Sequence, residues 1–442
     1  MMREPLTLLE KRVLVLGLGD TGLSAARWVE RQGGRVRAAD TREAPPRTRD
    51  YKGELHTGAF APALLEGVDL VCISPGLSLD QPLVQAARAR GIPVLGDVEL
   101  FARHNRAAVL AVTGTNGKST VTALTGHLLR GAGIDCEVAG NIAPPVLEAL
   151  MRRLSLHSAP PAAWVLELSS YQLETTWSLE PHAAAMLNLS EDHLDRYRGL
   201  DEYGAAKARV FAGTGVQVLN RDDARSMAMA RDGRPVVSFG LDAPPTDRDF
   251  GVVDGALAEG ATAFMRLEEL PIHGLHNAAN ALAASALART LGVSHEQLAQ
   301  ALRTFRGLPH RLELVAQRNG VDWYDDSKGT NVGATIAALR GLGRPTVLIL
   351  GGDGKGQDFG PLAAPVRQFA RQVLLIGRDA PLIQKVIPGE RCGSLEEAVE
   401  KAARAARPGD AVLLSPACAS FDMFRDYRHR GEAFAAAVRR LP

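Results

Sequence analysis

Two glycine-rich turns and a set of downstream cations carry most of the chemistry that the residue types of this chain allow. The first turn, Gly17-Leu18-Gly19-Asp20-Thr21-Gly22, follows a short apolar run and opens an amphipathic stretch, and Asp40 ends the next apolar run. Glycines at that spacing permit a tight strand-to-helix turn and the close approach of a diphosphate, while an acidic residue about 20 positions on can accept hydrogen bonds from ribose hydroxyls. The pattern suits a nicotinamide or flavin cofactor, another diphosphate nucleotide, or a purely structural turn. Asp20 puts a carboxylate in the loop, which repels a diphosphate unless it faces away or caps the helix.

The second turn, Thr113-Gly114-Thr115-Asn116-Gly117-Lys118-Ser119-Thr120, is the stronger signal. Between a strand and a helix, its loop N–H groups and the helix N-terminus point at one anion, Lys118 can neutralise β/γ-phosphate charge, and Ser119 or Thr120 can ligate Mg2+. The expected ligand is ATP, although the full phosphate-loop pattern asks for glycine where Val112 stands. Glu167 ends the run Val165-Leu166-Glu167. The carboxyl end of a parallel strand faces the ligand crevice, which makes Glu167 a sensible Mg2+ ligand. His193, in Glu191-Asp192-His193, gains weight only from the company of Glu167 and Lys118. Lys207 reads by itself as a solvated helix lysine. In Gly351-Gly352-Asp353-Gly354-Lys355-Gly356, Lys355 is either a donor to an anionic group or part of an exposed turn.

These groups need a scaffold, and the apolar pattern supplies one. Short Val/Leu/Ile runs alternate with Ala-rich amphipathic stretches, the signature of parallel strands joined by helices in an α/β fold. Strands are expected at 12–16, 36–39, 69–73 and 93–95, with a helix over 22–32. A second block has strands at 108–112, 163–168, 183–187 and 216–219, helices over 119–130 and 277–291, and antiparallel hairpins within 235–270. A third has strands at 321–325, 346–351, 372–376 and 411–414. The expected units are residues 1–97, 98–308 and 309–442, consistent with a 442-residue chain and a prior of about 150 residues per domain.

Composition narrows the classes further. Lys plus Arg number 51 against 50 Asp plus Glu, so no cationic surplus drives nucleic-acid binding. Hydrophobic residues at 46 % and charged residues at 23 % exclude disorder as the main state. Four dispersed cysteines (Cys72, Cys136, Cys392 and Cys418) fit neither zinc spacing nor a disulfide framework, and no apolar run approaches the roughly 18 residues of a membrane span. A reducing, cytoplasmic setting with no membrane partner is expected.

The Gly114–Thr120 loop, Glu167-Leu168-Ser169-Ser170, His276-Asn277, Leu308-Pro309-His310-Arg311, Asp326-Ser327-Lys328, Gly352-Asp353-Gly354-Lys355 and Ser415-Pro416-Ala417-Cys418-Ala419-Ser420-Phe421-Asp422 together resemble the amide ligases that build the peptidoglycan stem peptide. The resemblance runs from Gly17 to Tyr427. It implies a Rossmann-like amino-terminal domain for a UDP-sugar, a P-loop ATPase-like central domain, and a Rossmann-like carboxyl-terminal domain that helps bind the amino acid. Within the family, Asp326–Asn331 and Ser415–Asp422 resemble the member that joins D-glutamate to UDP-N-acetylmuramoyl-L-alanine. The substrates implied are that UDP-sugar, D-glutamate and ATP, with no nucleic acid and a monomeric chain.

By motif position, the family pattern puts the UDP-sugar on Asp20, Thr21, Asp40, Thr41, Arg42, Ser74 and Gly76, which removes the need for a redox cofactor. ATP falls to Gly114, Thr115, Asn116, Gly117, Lys118, Ser119, Thr120, Asn141, Asn280, His310, Arg311, Asp326 and Lys328. D-glutamate falls to Thr330, Lys355, Ser420, Phe421 and Tyr427. Two Mg2+ ions are implied, one on Ser119 and Glu167 and the other on His193 and a carbamylated Lys207, with Lys118, His193 and Lys207 as the catalytic set. Competing readings are a sister ligase with another amino acid, an NAD(P)-linked oxidoreductase on Gly17–Gly22, and an ATP-gated binding module.

Overall fold

The computed structural model describes residues 6–156, 159–192, 196–272 and 274–441. Three sheets follow one another along the chain. The first contains β1 (Arg12–Leu16), β2 (Arg35–Asp40), β3 (Glu54–Thr57), β4 (Leu70–Ile73) and β5 (Val94–Leu95), all parallel, in the order β3-β2-β1-β4-β5. The order reverses beside β1, and in such sheets the crevice at the carboxyl ends of the strands is where ligands bind. Gly17 leaves β1 with φ +86°, and a side chain there would press on Ser74, so this turn requires glycine.

The second sheet holds β6 (Ala108–Thr113), β7 (Cys136–Gly140), β8 (Ala163–Glu167), β9 (Ala183–Met186), β10 (Val216–Asn220), β11 (Val236–Phe239), β12 (Phe250–Val253), β13 (Ala256–Glu259) and β14 (Thr262–Arg266). Its order is β14-β13-β12-β11-β10-β9-β6-β8-β7. The antiparallel expectation for 235–270 holds for β12 to β14, whereas β11 joins β10 in parallel and extends the main sheet. The third sheet, β15 (Glu313–Arg318), β16 (Val321–Asp325), β17 (Thr346–Gly351), β18 (Ala370–Ile376), β19 (Glu390–Arg391) and β20 (Ala411–Leu414), runs β15-β16-β20-β17-β18-β19. Only β15 is antiparallel there, turned back by Asn319 and Gly320, both at positive φ.

Every strand expected from the apolar runs is present, within a residue or so at each end. The helices begin slightly early, at Asp20 and Lys118, because Asp20 suits the positive end of a helix dipole and Gly117 (φ +85°) turns the chain straight into Lys118. Strands β3, β7, β15 and β19 had no apolar run to announce them. One continuous apolar cluster spans the first and second sheets, joining Val13, Trp28 and Leu95 to Phe101, Trp164 and Tyr203. The third sheet has apolar clusters of its own, drawn from Val321 onward.

Candidate active site

Three clefts open at the carboxyl ends of the strands, and each draws on more than one sheet. The first, about 550 Å³, lies over the turn after β1 and is lined by Asp20, Thr21, Asp40, Thr41, Arg42, Ser74 and Gly76, together with Asn141 and Gln172 from the second unit and Arg428 from the third. Asp40, 2 % exposed, accepts from the Leu18 N–H at 2.7 Å and from the Arg42 guanidinium at 2.6 and 2.8 Å. Burial works to raise its pKa, but these donors together overcome it and hold the carboxyl at about 2. The carboxylate in the glycine loop is dealt with by pairing, since Asp20 points outward to Arg47.

The second cleft, about 400 Å³, lies between the second and third units. Asn116, Gly117, Thr120, Asn280, Arg311, Asp326 and Lys328 all line it. A side chain at Gly117 would strike Asn280 Oδ1, so the glycine keeps the helix N-terminus open to a ligand. Asp326 is half-buried and accepts from Ser415 Oγ at 2.7 Å, and desolvation pushes it up to about 7. The Lys328 ammonium sits 3.9 Å from the Tyr427 ring centroid, and burial lowers it to about 8. His276 lines the wall and is pushed down to about 4 by burial, so its ring stays neutral.

The third cleft, about 260 Å³, joins the other two and collects Thr115, Asn116, Gly117, Lys118, Asn141, Glu167, Lys207, Arg311, Lys328, Thr330 and Lys355. Lys118 folds back on its own loop and donates to the carbonyls of Gly114 and Thr115 at 2.9 and 2.8 Å. Burial lowers its pKa against the pull of Glu167 and Asp192. Lys207 is 1 % exposed, donates to Gly114 O at 2.8 Å and lies 4.5 Å from the Tyr203 ring centroid. Burial first, then the neighbouring Lys118, hold this amine well below the ordinary lysine range. The solvated-lysine reading of Lys207 is therefore corrected: the helix Leu200–Ala208 turns it inward.

Glu167, 2 % exposed, receives the Asn141 amide on Oε1 at 2.7 Å, while its Oε2 has no hydrogen-bond partner among the described residues. A buried carboxylate oxygen left unpaired at the edge of an anion-binding cleft is the kind of donor that a hard divalent cation takes, so Glu167 fits Mg2+. Ser119 is held across the cleft by Arg311, whose guanidinium donates to Oγ at 2.8 Å. Asn331 reaches Asn116 Oδ1 at 3.0 Å, and Lys355 pairs with Asp192 at 3.4 Å, so three residues of the third unit touch the second here.

Six expected contacts among the described residues are not part of the lining of these clefts: Gly114, Ser119, His310, Ser420, Phe421 and Tyr427. His310 is bonded through Nδ1 to Asp325 at 2.7 Å, and that hydrogen bond raises its pKa. Ser420 is buried, Phe421 is 74 % exposed, and Tyr427 packs beneath Lys328. Ser119 is bonded to Arg311 and Tyr427 lies against Lys328, and both of those partners line the clefts. His193 lies outside the described residues. Asp192, Asn331, Tyr203, Gln172 and Arg428 were not singled out from the sequence. Only Asn331 carried a local signal, as a polar residue before an apolar run, and its side chain does cap the helix Val332–Leu342.

Known proteins share this arrangement. Residues 11–96 match the Mur ligase MurD-like N-terminal domain, 112–288 the Mur ligase middle domain, and 310–418 the Mur ligase glutamate ligase domain. The chain is 57 % identical over 453 residues to the UDP-N-acetylmuramoylalanine–D-glutamate ligase of Nitrosospira multiformis, covering 98 % of this chain and 96 % of that protein. It is 56 % identical over 465 residues to the protein of the same name from Thiobacillus denitrificans, covering 99 % and 98 %. Among solved structures, the UDP-N-acetylmuramate-alanine ligase of Thermotoga maritima has the same fold, with TM-score 0.63 and 19 % identity over 97 % of this chain and 99 % of that one.

Proposed function

We infer that this chain, which belongs to the Mur ligase family, is an ATP-dependent ligase that joins D-glutamate to UDP-N-acetylmuramoyl-L-alanine in peptidoglycan precursor synthesis. The observation that carries the reading is the meeting of the second and third units at one small cleft, where Lys118, Glu167, Arg311, Lys328 and Lys355 face a common space, next to the cleft over Gly17 that all three units line. The sugar nucleotide would lie in the cleft over Gly17, ATP in the cleft over Gly117, and the amino acid near Thr330 and Lys355. Divisions near residues 97 and 309, a monomeric chain and a cytoplasmic site of action complete the reading. Among the described residues no helix is long and apolar enough to cross a membrane.

In the proposed reaction the alanyl carboxylate attacks the γ-phosphorus of ATP, forming an acyl phosphate and releasing ADP. The amine of D-glutamate then attacks the activated carbonyl, and phosphate leaves from the tetrahedral intermediate. Two anions must meet in the first step, and Lys118 and Lys328 offset their repulsion while Arg311 ties the closing unit to the loop. Bound Mg2+ would stabilise the developing phosphoryl charge. Ser119 and Glu167 would hold one ion, and His193 with a carbamylated Lys207 a second. Only a neutral amine captures CO2, and the lowered pKa of Lys207 supports that modification.

A phosphate-release assay with ATP, the UDP-sugar and a panel of amino acids tests the assignment. Release that depends on the UDP-sugar and D-glutamate together is expected, and release with another amino acid alone would reassign the enzyme to a sister reaction. For the carbamate, Lys207→Ala should be nearly inactive and partly restored by added short carboxylates. Lack of rescue with metal affinity intact would count against it.

A further inference from the structure

Among the described residues that line the cleft over Gly17, the charged side chains contributed by the first unit are Asp20, which is turned outward to Arg47, and Asp40 and Arg42. The Arg42 cation is already spent on Asp40. A sugar nucleoside diphosphate therefore meets hydroxyls and loop N–H groups there but no uncommitted positive charge. The balancing cation comes from another part of the chain. Arg428, near the start of the helix Tyr427–Arg440, lines the same cleft opposite Asn141 and Gln172. Its guanidinium lies 5.5 Å from the Tyr427 ring centroid and has neither a hydrogen bond nor an ion pair with another described residue. Tyr427 thus carries two cations with different addresses, Lys328 for the nucleotide cleft and Arg428 for the first-unit cleft.

We propose that Arg428 is a binding residue for the anionic sugar nucleotide, reaching from the third unit into the first-unit cleft so that this substrate clasps the third unit over the rest of the molecule. The inference rests on the substrate class assigned above and adds a contact in trans between units. A guanidinium suits the task, since it forms paired hydrogen bonds to phosphate or carboxylate and stays charged at any working pH. Stacking on Tyr427 limits the rotamers to be frozen on binding. A ligand that touches both units binds the closed arrangement better and shifts the population toward it.

The test is calorimetric titration of the full chain with UDP-N-acetylmuramoyl-L-alanine alone, comparing wild type with Arg428→Ala, Arg428→Glu and Arg428→Lys. Loss of one charge-assisted contact should weaken sugar-nucleotide binding about tenfold in R428A and more in R428E, with R428K in between, while KM for ATP and for D-glutamate stays within about twofold. X-ray scattering should show that the sugar nucleotide compacts the wild type more than R428E. Unchanged affinity in R428A and R428E, a defect confined to D-glutamate, or equal compaction would overturn the proposal. A wild type that binds the UDP-sugar but releases no phosphate with D-glutamate would defeat the functional reading and leave this one standing.

Discussion

The two boundaries between units are built from opposite materials. Between the first and second units the boundary is apolar: the helix Asp20–Arg31 packs on the helices Asp97–His104 and Val146–Ser155, and Trp28, 2 % exposed, stands edge-on to His104 at 4.9 Å. A single core cluster runs through it. Between the second and third units the helix Val332–Leu342 packs on the helix Leu275–Arg289, and the side-chain bonds at the cleft are polar, Arg311 to Ser119, Asn331 to Asn116 and Asp192, and Lys355 to Asp192. Parting the first boundary exposes apolar surface at about 25 cal/mol per Å², whereas parting the second exchanges such hydrogen bonds for water at about 1 kcal/mol each or less. The third unit is thus the one expected to open, at the boundary where the proposed chemistry lies.

The sharpest way to break this contrast is to remove a cation from the polar boundary and a ring from the apolar one. Lys118→Ala should lose nearly all turnover, about 10³-fold or more, because an unneutralised triphosphate forfeits several kcal/mol of transition-state stabilisation, while the denaturant midpoint stays close to wild type. Near-normal activity would end the phosphate-loop assignment. Trp28→Ala should do the reverse, costing about 3–4 kcal/mol of stability by cavity formation and leaving KM for ATP unaltered. A stable Trp28→Ala protein would show that the first boundary is not a shared core.

A pH profile sharpens the polar side. The Lys328 ammonium is the form that attracts phosphate, and its pKa in the free protein is lowered to about 8. Hence kcat/KM for ATP should hold below that pH and fall above it by about tenfold per unit, and Lys328→Arg should move the fall upward. A flat profile above pH 8 in wild type would place the amine out of the nucleotide's reach. The smallest expected effect is Asn331→Ala. It loses the bridge to Asn116 and the cap on Ala334 N–H, costing about 1 kcal/mol in thermal unfolding together with a few-fold rise in KM. A larger effect on the first boundary than on the second would contradict the division.

Much of the scaffold was readable from residue order alone. The apolar runs located every long central strand, because a strand buried on both faces reads as a continuous apolar run, alanine-rich in Ala183–Met186. Edge strands escaped for the converse reason: β3 carries Glu54 and Thr57 exposed to water, and β15 begins with two exposed residues. The hairpin from β15 to β16 did have a local sign in Asn319-Gly320, a pair that adopts positive φ at both positions. In the site, the glycine-rich loops proposed to hold phosphates were legible because glycine is demanded by backbone geometry at a fixed spacing. Lys207, Asp192 and Arg428 were not legible from local pattern, since each matters through neighbours far away in the chain.

Residue order thus settled the α/β elements, the two glycine-rich turns and the family, all of which depend on short-range sterics, capping and periodicity. Folding in three dimensions decided which lysine is stripped of water, which carboxylate oxygen of Glu167 has no partner among the described residues, and which arginine enters the first-unit cleft. Charge and desolvation act through space, so a side chain's chemistry is set by whatever the chain brings beside it.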